Sequence, residues 1–414
     1  MRDVDLYAQI LGVESPWQVT NVDLRLEAGE VEVLVEQGST KELSCPECGT
    51  VGQRYDTRRR RWRHLPTCQY KTILSAEVPR VRCSEHGVKT VSVPWSEPGS
   101  GFTALFEAVV IDWLREASIL AVARRLDLTW DQVDGVLQRA VRRGLNRRRL
   151  QAPRRLGVDE TSFQKRHEYV TVVADAERGV VQHVADGRGK DALAEYYDGF
   201  EESERAQIES VAMDMWGPYI AATVNAVPSA SSKIAFDKFH VAMHLGDAVD
   251  RVRREENRAL RAEGDETLVG TKHLWLFHPD HLPEERSVRF QDLVKKALKT
   301  SRAWMLKELA MEMWDCSNRE DAREIFDAWY SWAIRSRLPP MKRVARMLKR
   351  HLEGVLNAIS LGVTNARVEG MNTVIQWLKR SARGFRNRDR FRAAIYFHLG
   401  GLDLYPDPIH HTTS

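Results

Sequence analysis

The chain has 414 residues, 43% hydrophobic and 29% charged, enough for about two to four domains that each bury a core. Near-average composition, without a Pro/Gly/Ser tract or a repeat of about 20 to 50 residues, excludes wholesale disorder and solenoid folds. The opening Met1-Arg-Asp-Val-Asp-Leu lacks a basic and apolar leader and no run of about 18 uncharged apolar residues occurs, which predicts a cytoplasmic protein, and five cysteines are too few for a secreted disulfide framework.

The net charge of +4 is unevenly spread. Residues 1–40, expected as a β-rich leader, carry two arginines against eight acids; residues 41–155 carry 22 Lys and Arg against 12 acids; the remainder balances at 38 each. A basic stretch behind an acidic leader predicts a polyanionic partner, engaged mainly by residues 41–155.

A zinc-binding domain is expected over 41–98. Cys45-Pro-Glu-Cys48-Gly49 and Cys83-Ser-Glu-His86-Gly87 each set two soft ligands three positions apart, ahead of a glycine that lets the chain turn tightly beneath a metal. Together Cys45, Cys48, Cys83 and His86 predict one tetrahedral site for one structural zinc ion. Thr72–Ala76 and Val78–Arg82 read as short strands, as in a zinc ribbon that carries its second knuckle back to the first. Cys68 and Cys316 stand apart and read as ordinary thiols. Arg58, Arg59, Arg60 and Arg61, beside Trp62, form a basic cluster in this module.

A helix-turn-helix is expected over 99–150. Helical spacing from Phe102 to Arg115 and from Ser118 to Leu126 is followed by a turn at Asp127-Leu128. Thr129-Trp-Asp-Gln132 matches a capping box, so a third helix begins there with Val133, Val136, Leu137 and Ala140 on its apolar face. Gln132, Gln138, Arg139, Arg142 and Arg143 fall on its other faces, where a helix entering a major groove would meet double-stranded DNA. Arg142, Arg143, Arg147, Arg148, Arg149, Arg154 and Arg155 then follow with no acid among them from Arg142 on, as expected of a linker along phosphates.

After residue 155 the pattern changes to strands at Leu156–Asp159, Tyr169–Asp175, Val180–Asp186 and Ile208–Asp214, with a helix from Asp191 to Phe200. Three strands, a helix and a further strand fit an RNase H-like sheet, which brings acids at the ends of the first and fourth strands together. The fold class is therefore multidomain α+β: a zinc ribbon, a helix-turn-helix, and an RNase H-like catalytic domain interrupted by an all-helical insertion. Asp159 and Asp214 are the candidate ligands for a pair of magnesium or manganese ions, because hard cations take carboxylate oxygens and two such ions can drive phosphodiester cleavage. Asp175 and Asp186 read as turn acids.

In this order the motifs resemble the ISL-three family of bacterial insertion-sequence transposases along nearly the whole chain. The residues that carry the likeness are the knuckles, the helix-turn-helix, Gly157-Val-Asp-Glu-Thr-Ser-Phe163, Met213-Asp-Met-Trp-Gly-Pro-Tyr219, Asn365-Ala-Arg-Val-Glu-Gly-Met-Asn372 and Lys379-Arg-Ser-Ala-Arg-Gly-Phe-Arg-Asn387. His86 stands where a cysteine is more usual, and histidine binds zinc equally well. The resemblance implies a DDE triad of Asp159, Asp214 and Glu369, a catalytic domain split into 151–265 and 361–405 by a helical insertion at 266–360, and DNA contacts from Lys379, Arg380 and Arg383 in the closing motif. It also implies terminal inverted repeats and target DNA as partners, a homodimer in the DNA complex, and a place at the bacterial nucleoid.

Within residues 285–360 strand patterns are absent and helical segments carry Trp304, Trp314, Trp329 and Trp332, read as core packing against the alternative of a ring stacked on an unpaired base. Glu353 rivals Glu369 as third acid; Glu369 is preferred because Asn365 can start its helix and set Asn372 and Arg380 on nearby faces. Asp237-Lys-Phe-His240 resembles an acid-x-x-His element of related DDE transposases; here it either supports the acids or makes a structural bond at the head of a helix running to about Ala262. The expected activity is cleavage of the element's ends by hydrolysis, then attack of the freed 3′-hydroxyl on target DNA. A catalytically silent zinc-containing regulator, or a nuclease that cuts without joining, are the alternatives.

Overall fold

The acidic leader and the zinc module share one β-sheet. The computed structural model describes residues 2–38, 42–164, 168–276, 283–363 and 366–407, and Asn365, expected to start the helix of Glu369, lies outside them. The chain forms two compact units, Met1–Arg148 with Tyr396–Ser414, and Arg149–Ile395. The first opens with α1 (Asp3–Leu11), β1 (Trp17–Arg25), β2 (Glu30–Gln37), β3 (Leu43–Ser44), β4 (Val51–Thr67), β5 (Tyr70–Cys83) and β6 (Gly87–Thr90). The sheet order is β1-β2-β5-β4-β3, with β6 also on β5. The two short strands read at 72–76 and 78–82 are one long strand, and β2 pairs with it in parallel, Val33 opposite Leu74. Alternation turns Val31, Val33 and Val35 of β2 and Leu74, Ala76 and Val78 of β5 into a core closed by Trp17, Trp62 and Trp95, the last ring edge-on to the other two at 5.0 and 5.4 Å.

Three helices follow: α2 (Ala104–Glu116), α3 (Ile119–Leu126) and α4 (Trp130–Arg147). Each starts at a hydroxyl cap. Thr103, Ser118 and Thr129 accept from the backbone N–H of Phe106, Ala121 and Gln132, and the Gln132 side chain answers Thr129 N–H at 2.9 Å, so the expected capping box is present. Asp127, at φ 52°, makes the left-handed turn between α3 and α4. Val110, Ile111, Val122, Val133, Val136 and Leu137 fill the space between the three. Beneath them Glu107, about 1% exposed, receives Arg139 Nε at 2.8 Å and Arg143 Nη2 at 3.2 Å, and Arg143 also holds Glu97. Residues expected to close the catalytic domain instead pack on α4: Leu404 O accepts from Arg143, and Leu402 sits over Gly144.

The second unit is built on β7 (Arg155–Gln164), β8 (Glu168–Asp175), β9 (Val180–Asp186), β10 (Ser210–Met213) and β11 (Ile234–Phe236), ordered β11-β10-β7-β8-β9. The β7-β8-β9 pairs are antiparallel, whereas β10 runs parallel to both β7 and β11. Between the strands lie α5 (Lys190–Asp198), α6 (Glu202–Ala206), α7 (Gly217–Ala226) and α8 (Ala230–Lys233). After β11 the described chain is helical: α9 (Lys238–Ala262), α10 (Lys272–Leu276), α11 (Glu284–Lys295), α12 (Lys299–Met311), α13 (Arg319–Arg335), α14 (Pro339–Arg350), α15 (Leu352–Ser360), α16 (Ala366–Ser381) and α17 (Arg388–Leu399). One continuous core runs from Leu156, Val158 and Val211 in the sheet to Trp275, Trp329 and Leu348 in the helices, so the helices of 266–360 finish the core that the sheet begins. Trp329 is buried and donates to Leu306 O at 2.7 Å, as core packing requires, while Trp332 is 64% exposed. Asp175 caps its turn through Glu177 and Arg178 N–H, and Asp186 pairs with Arg392.

Because Arg143 and Glu107 are both nearly excluded from water, Arg143→Ala should cost about 3 kcal/mol in denaturant unfolding, while Arg142→Ala, one position earlier and exposed, should stay within about 0.5 kcal/mol. Equal effects would show that the buried cluster contributes nothing.

Candidate active site and metal centres

The two knuckles meet. Cys48 Sγ lies 3.6 Å from Cys83 Sγ, and His86 Nδ1 lies 3.7 Å from Cys83 Sγ and 3.9 Å from Cys45 Sγ. A tetrahedron with zinc–sulfur bonds near 2.3 Å has edges of about 3.8 Å, so the donor set fits one zinc ion. Gly49 and Gly87, at φ 73° and 70°, make the tight turns that bring each pair around. Hydrogen bonding with Thr50 holds the Cys48 thiol down at about 6, favouring the thiolate that a metal binds. His86 Nε2 faces Glu47 at 3.5 Å, an outer carboxylate that orients the ring. Cys68 is exposed at the β4–β5 turn, and Cys316 is half-buried.

A second cluster is assembled by strand register. Ala212 pairs with Gly157 on one side and with Ala235 on the other. Carrying both registers two residues on lines up Asp159, Asp214 and Asp237 in one row at the ends of the parallel pairings. Asp159 is not at the end of β7, which runs on beside β8; it sits where β10 stops pairing and the sheet opens. Since Leu156, Val158, Met213 and Phe236 face the core, the three acids point to the opposite face. That face is covered by α16. Val368 meets Gly157, Asn372 Nδ2 donates to Asp159 Oδ2, Gln376 Nε2 donates to Thr161 Oγ1 at 2.9 Å, and Lys379 Nζ donates to Ser162 Oγ at 3.0 Å. Glu369 lies on the same helix one turn before Asn372.

The charges are crowded. Burial, with the nearby Asp214 adding to it, pushes the Asp159 carboxyl up; burial and then Asp159 and Asp214 do the same to Glu160; burial, Asp237 and Asp159 do so to Glu369. Asp159 Oδ1 accepts from Glu160 N–H at 2.7 Å and Asp214 Oδ1 from Met215 N–H at 2.6 Å, leaving other lone pairs facing the cluster. Asp237 Oδ2 and His240 Nδ1 are buried 3.7 Å apart without a hydrogen bond, and the Asp237 side chain, at the N-cap of α9, makes no cap hydrogen bond. Glu353, the rival third acid, pairs instead with Arg319 and Arg323. Oxygen donors, mutual repulsion and an orphaned buried carboxylate oxygen are what a divalent cation would relieve. Among the described residues, the cysteine–histidine set is the one group of three or more such ligands that converges, its donor atoms all within 4.8 Å of one another.

Comparison with known proteins agrees along the chain. Residues 156–395 match the family model described as a transposase, 41–86 the zinc-finger of transposase IS204/IS1001/IS1096/IS1165, and 91–141 the helix-turn-helix domain of transposase family ISL3. The chain belongs to the transposase family ISL3. It is 30% identical to the transposase for insertion sequence element IS1557 of Mycobacterium tuberculosis, over 97% of this chain and 96% of that protein. It is 25% identical to the transposase for insertion sequence element IS1001 of Bordetella parapertussis, over 91% and 94%.

In this ISL3 chain the expected DNA-contact residues divide into those displayed without an ion pair among the described residues and those that meet other groups of the fold. Gln132, Arg142, Arg149, Arg58, Arg380 and Arg383 are exposed. Arg139 and Arg143 are turned inward on Glu107; Arg147 pairs with Asp403 and Asp407; Arg148 stacks on Tyr396; Lys379 bonds β7. Arg59 and Arg61 pair with Glu32 and Glu30 of β2, Arg60 lies over Trp62, and Gln138 is half-buried. Sequence reading missed Gly157, Gln376 and the row through Asp237. Their signals were a glycine two residues before the first acid and polar residues at 369, 372, 376 and 379, a helical stripe. No described helix is long and apolar enough to cross a membrane.

Elemental analysis should find about one zinc per chain, and Cys45→Ala with Cys83→Ala should abolish it, since the knuckles complete a single four-ligand site. Zinc absent from the wild type, or unchanged in the double variant, contradicts the assignment.

Proposed function

We propose that the chain is a DDE-type transposase that binds the ends of its insertion sequence, hydrolyses a phosphodiester there, and joins the freed 3′-hydroxyl to target DNA. The sheet, three antiparallel strands followed by two parallel ones with acids where the parallel pairing ends, supports an RNase H-like catalytic domain. The observation that carries the reading is the polar ladder from α16 to β7, which holds Asn372 on Asp159 and Glu369 one turn away, on the face shared with Asp214.

Asp159, Asp214 and Glu369 would hold two magnesium or manganese ions, which when bound would supply activation of the attacking oxygen and stabilisation of the leaving one. Asn372 fixes the Asp159 carboxylate, and the N–H groups of Glu160 and Met215 fix one oxygen each on Asp159 and Asp214, so the chain's contribution is orientation and not a protein nucleophile. Asp237 and His240 flank the row as supporting groups. Gln132 and Arg142 on α4, with Arg58, Arg149, Arg380 and Arg383, are the displayed groups suited to double-stranded DNA.

Asp159→Asn, Asp214→Asn and Glu369→Gln keep volume and remove charge, so each should lower cleavage and joining of labelled element ends by about 10²- to 10³-fold or more while leaving end binding intact. Glu353→Gln should cut normally. An inactive Glu353→Gln beside an active Glu369→Gln reverses the choice of third acid. A wild type that binds ends but never cuts with magnesium or manganese favours the silent regulator.

A further inference from the structure

Helix α14 carries five cations in twelve residues and no acid. Its inner face, Met341, Val344, Ala345 and Leu348, is buried in the core. Arg343, Arg346, Lys349 and Arg350 are exposed, at spacings of three, three and one that keep them along one side of the helix, with Lys342 beside them. Among the described residues Lys342, Arg343, Arg346 and Arg350 have no ion-pair partner, and Lys349 only lies over the Tyr330 ring at 4.5 Å. This contrasts with the arginine run of 139–155, most of which is tied to acids elsewhere in the fold. Four cations held together without counterions are a standing electrostatic cost unless a polyanion binds them.

The stripe has a direction. His351, directly after it, packs edge-on against Phe236, the residue before Asp237, and Gly354 lets α15 approach so closely that a Cβ there would lie 2.3 Å from the Phe236 ring. The C-terminal end of α14 is thus fixed at the end of β11 from the core side of the sheet, and His351 there comes near enough to Asp214 to feel its charge. At its flank, a cleft of about 210 Å³ between α14 and α9 is lined by Arg343, Arg251 and His244, with Asp247 the acid among its lining residues. We propose that α14 is a track for the phosphate backbone of duplex DNA that leads the strand into the acidic site. From Arg343 to Arg350 the stripe is about 10 Å long, matching about three phosphates of one strand. Cations along the approach would also offset the repulsion between a phosphodiester and uncompensated carboxylates.

The proposal rests on the reading of the acids as a DNA-cutting site, but its test reads binding. Full-length protein carrying Arg343→Gln, Arg346→Gln, Lys349→Gln and Arg350→Gln is titrated with a random-sequence DNA duplex over a range of KCl concentrations. The slope of log Kd against log salt should fall by about three relative to wild type, since each lost phosphate contact removes about 0.9. A matched variant losing four exposed cations on and beside α11, Arg286→Gln, Lys295→Gln, Lys296→Gln and Lys299→Gln, should keep the wild-type slope. An unchanged slope in the α14 variant, or an equal fall in both, overturns the track. If the α14 variant does not fold, lysine acetylation of the wild type decides: duplex DNA should shield Lys349 and leave Lys295 and Lys296 reactive, and equal labelling of Lys349 with and without DNA overturns it. A wild type that never cuts yet shows the slope change removes the catalytic reading and keeps the track; one that cuts with no slope change does the reverse.

Discussion

The close approach of α16 to β7 at Gly157 sets the geometry on which the acidic face of the second unit depends. A Cβ built at Gly157 would lie 2.3 Å from Val368 Cγ2, so any larger residue pushes the helix away from the strand. Val368 precedes Glu369, and the next turns bring Asn372, Gln376 and Lys379 onto successive positions of β7. Glu369, the proposed third acid, is therefore placed by packing at a neighbouring residue and by three polar contacts along the strand. A misplacement of about 1 Å in a site of this kind is worth about 10² in rate, which is why the contact matters more than its few buried atoms suggest.

Charge is managed in opposite ways in the two units. In the second, carboxylates are crowded on one face, and their proton affinities are raised first by burial and then by one another's charge. In the first, arginines that look like an unbroken basic run are matched by Glu97, Glu107, Asp403 and Asp407, drawn from distant parts of the chain. Cations that remain free of such partners, as on α14, are then better pointers to a polyanion than the local density of Lys and Arg.

Elements whose signals are local were legible in the sequence. The capping box at Thr129, both zinc knuckles and the strand leading to Asp159 rest on residues within a few positions of one another. What was not legible depends on long-range pairing. The parallel pairing of β2 with β5 merges the leader into the zinc module, and nothing in residues 30–37 announces it. The strand order already brings Asp159 and Asp214 together, but the place of Asp237 in the same row appears only once the β10–β11 register is known. Arg143 and Lys379 read as surface cations until Glu107 and Ser162 are brought to them by folding.

Crystals of the full chain grown with Mn2+ and examined by anomalous diffraction bear on the acidic row most directly. Two manganese peaks about 3.5 to 4 Å apart are expected, with Asp159 touching both, Asp214 one and Glu369 the other. A single peak away from Asp159, or manganese held without Glu369, would contradict the assembly of the site by α16 on β7.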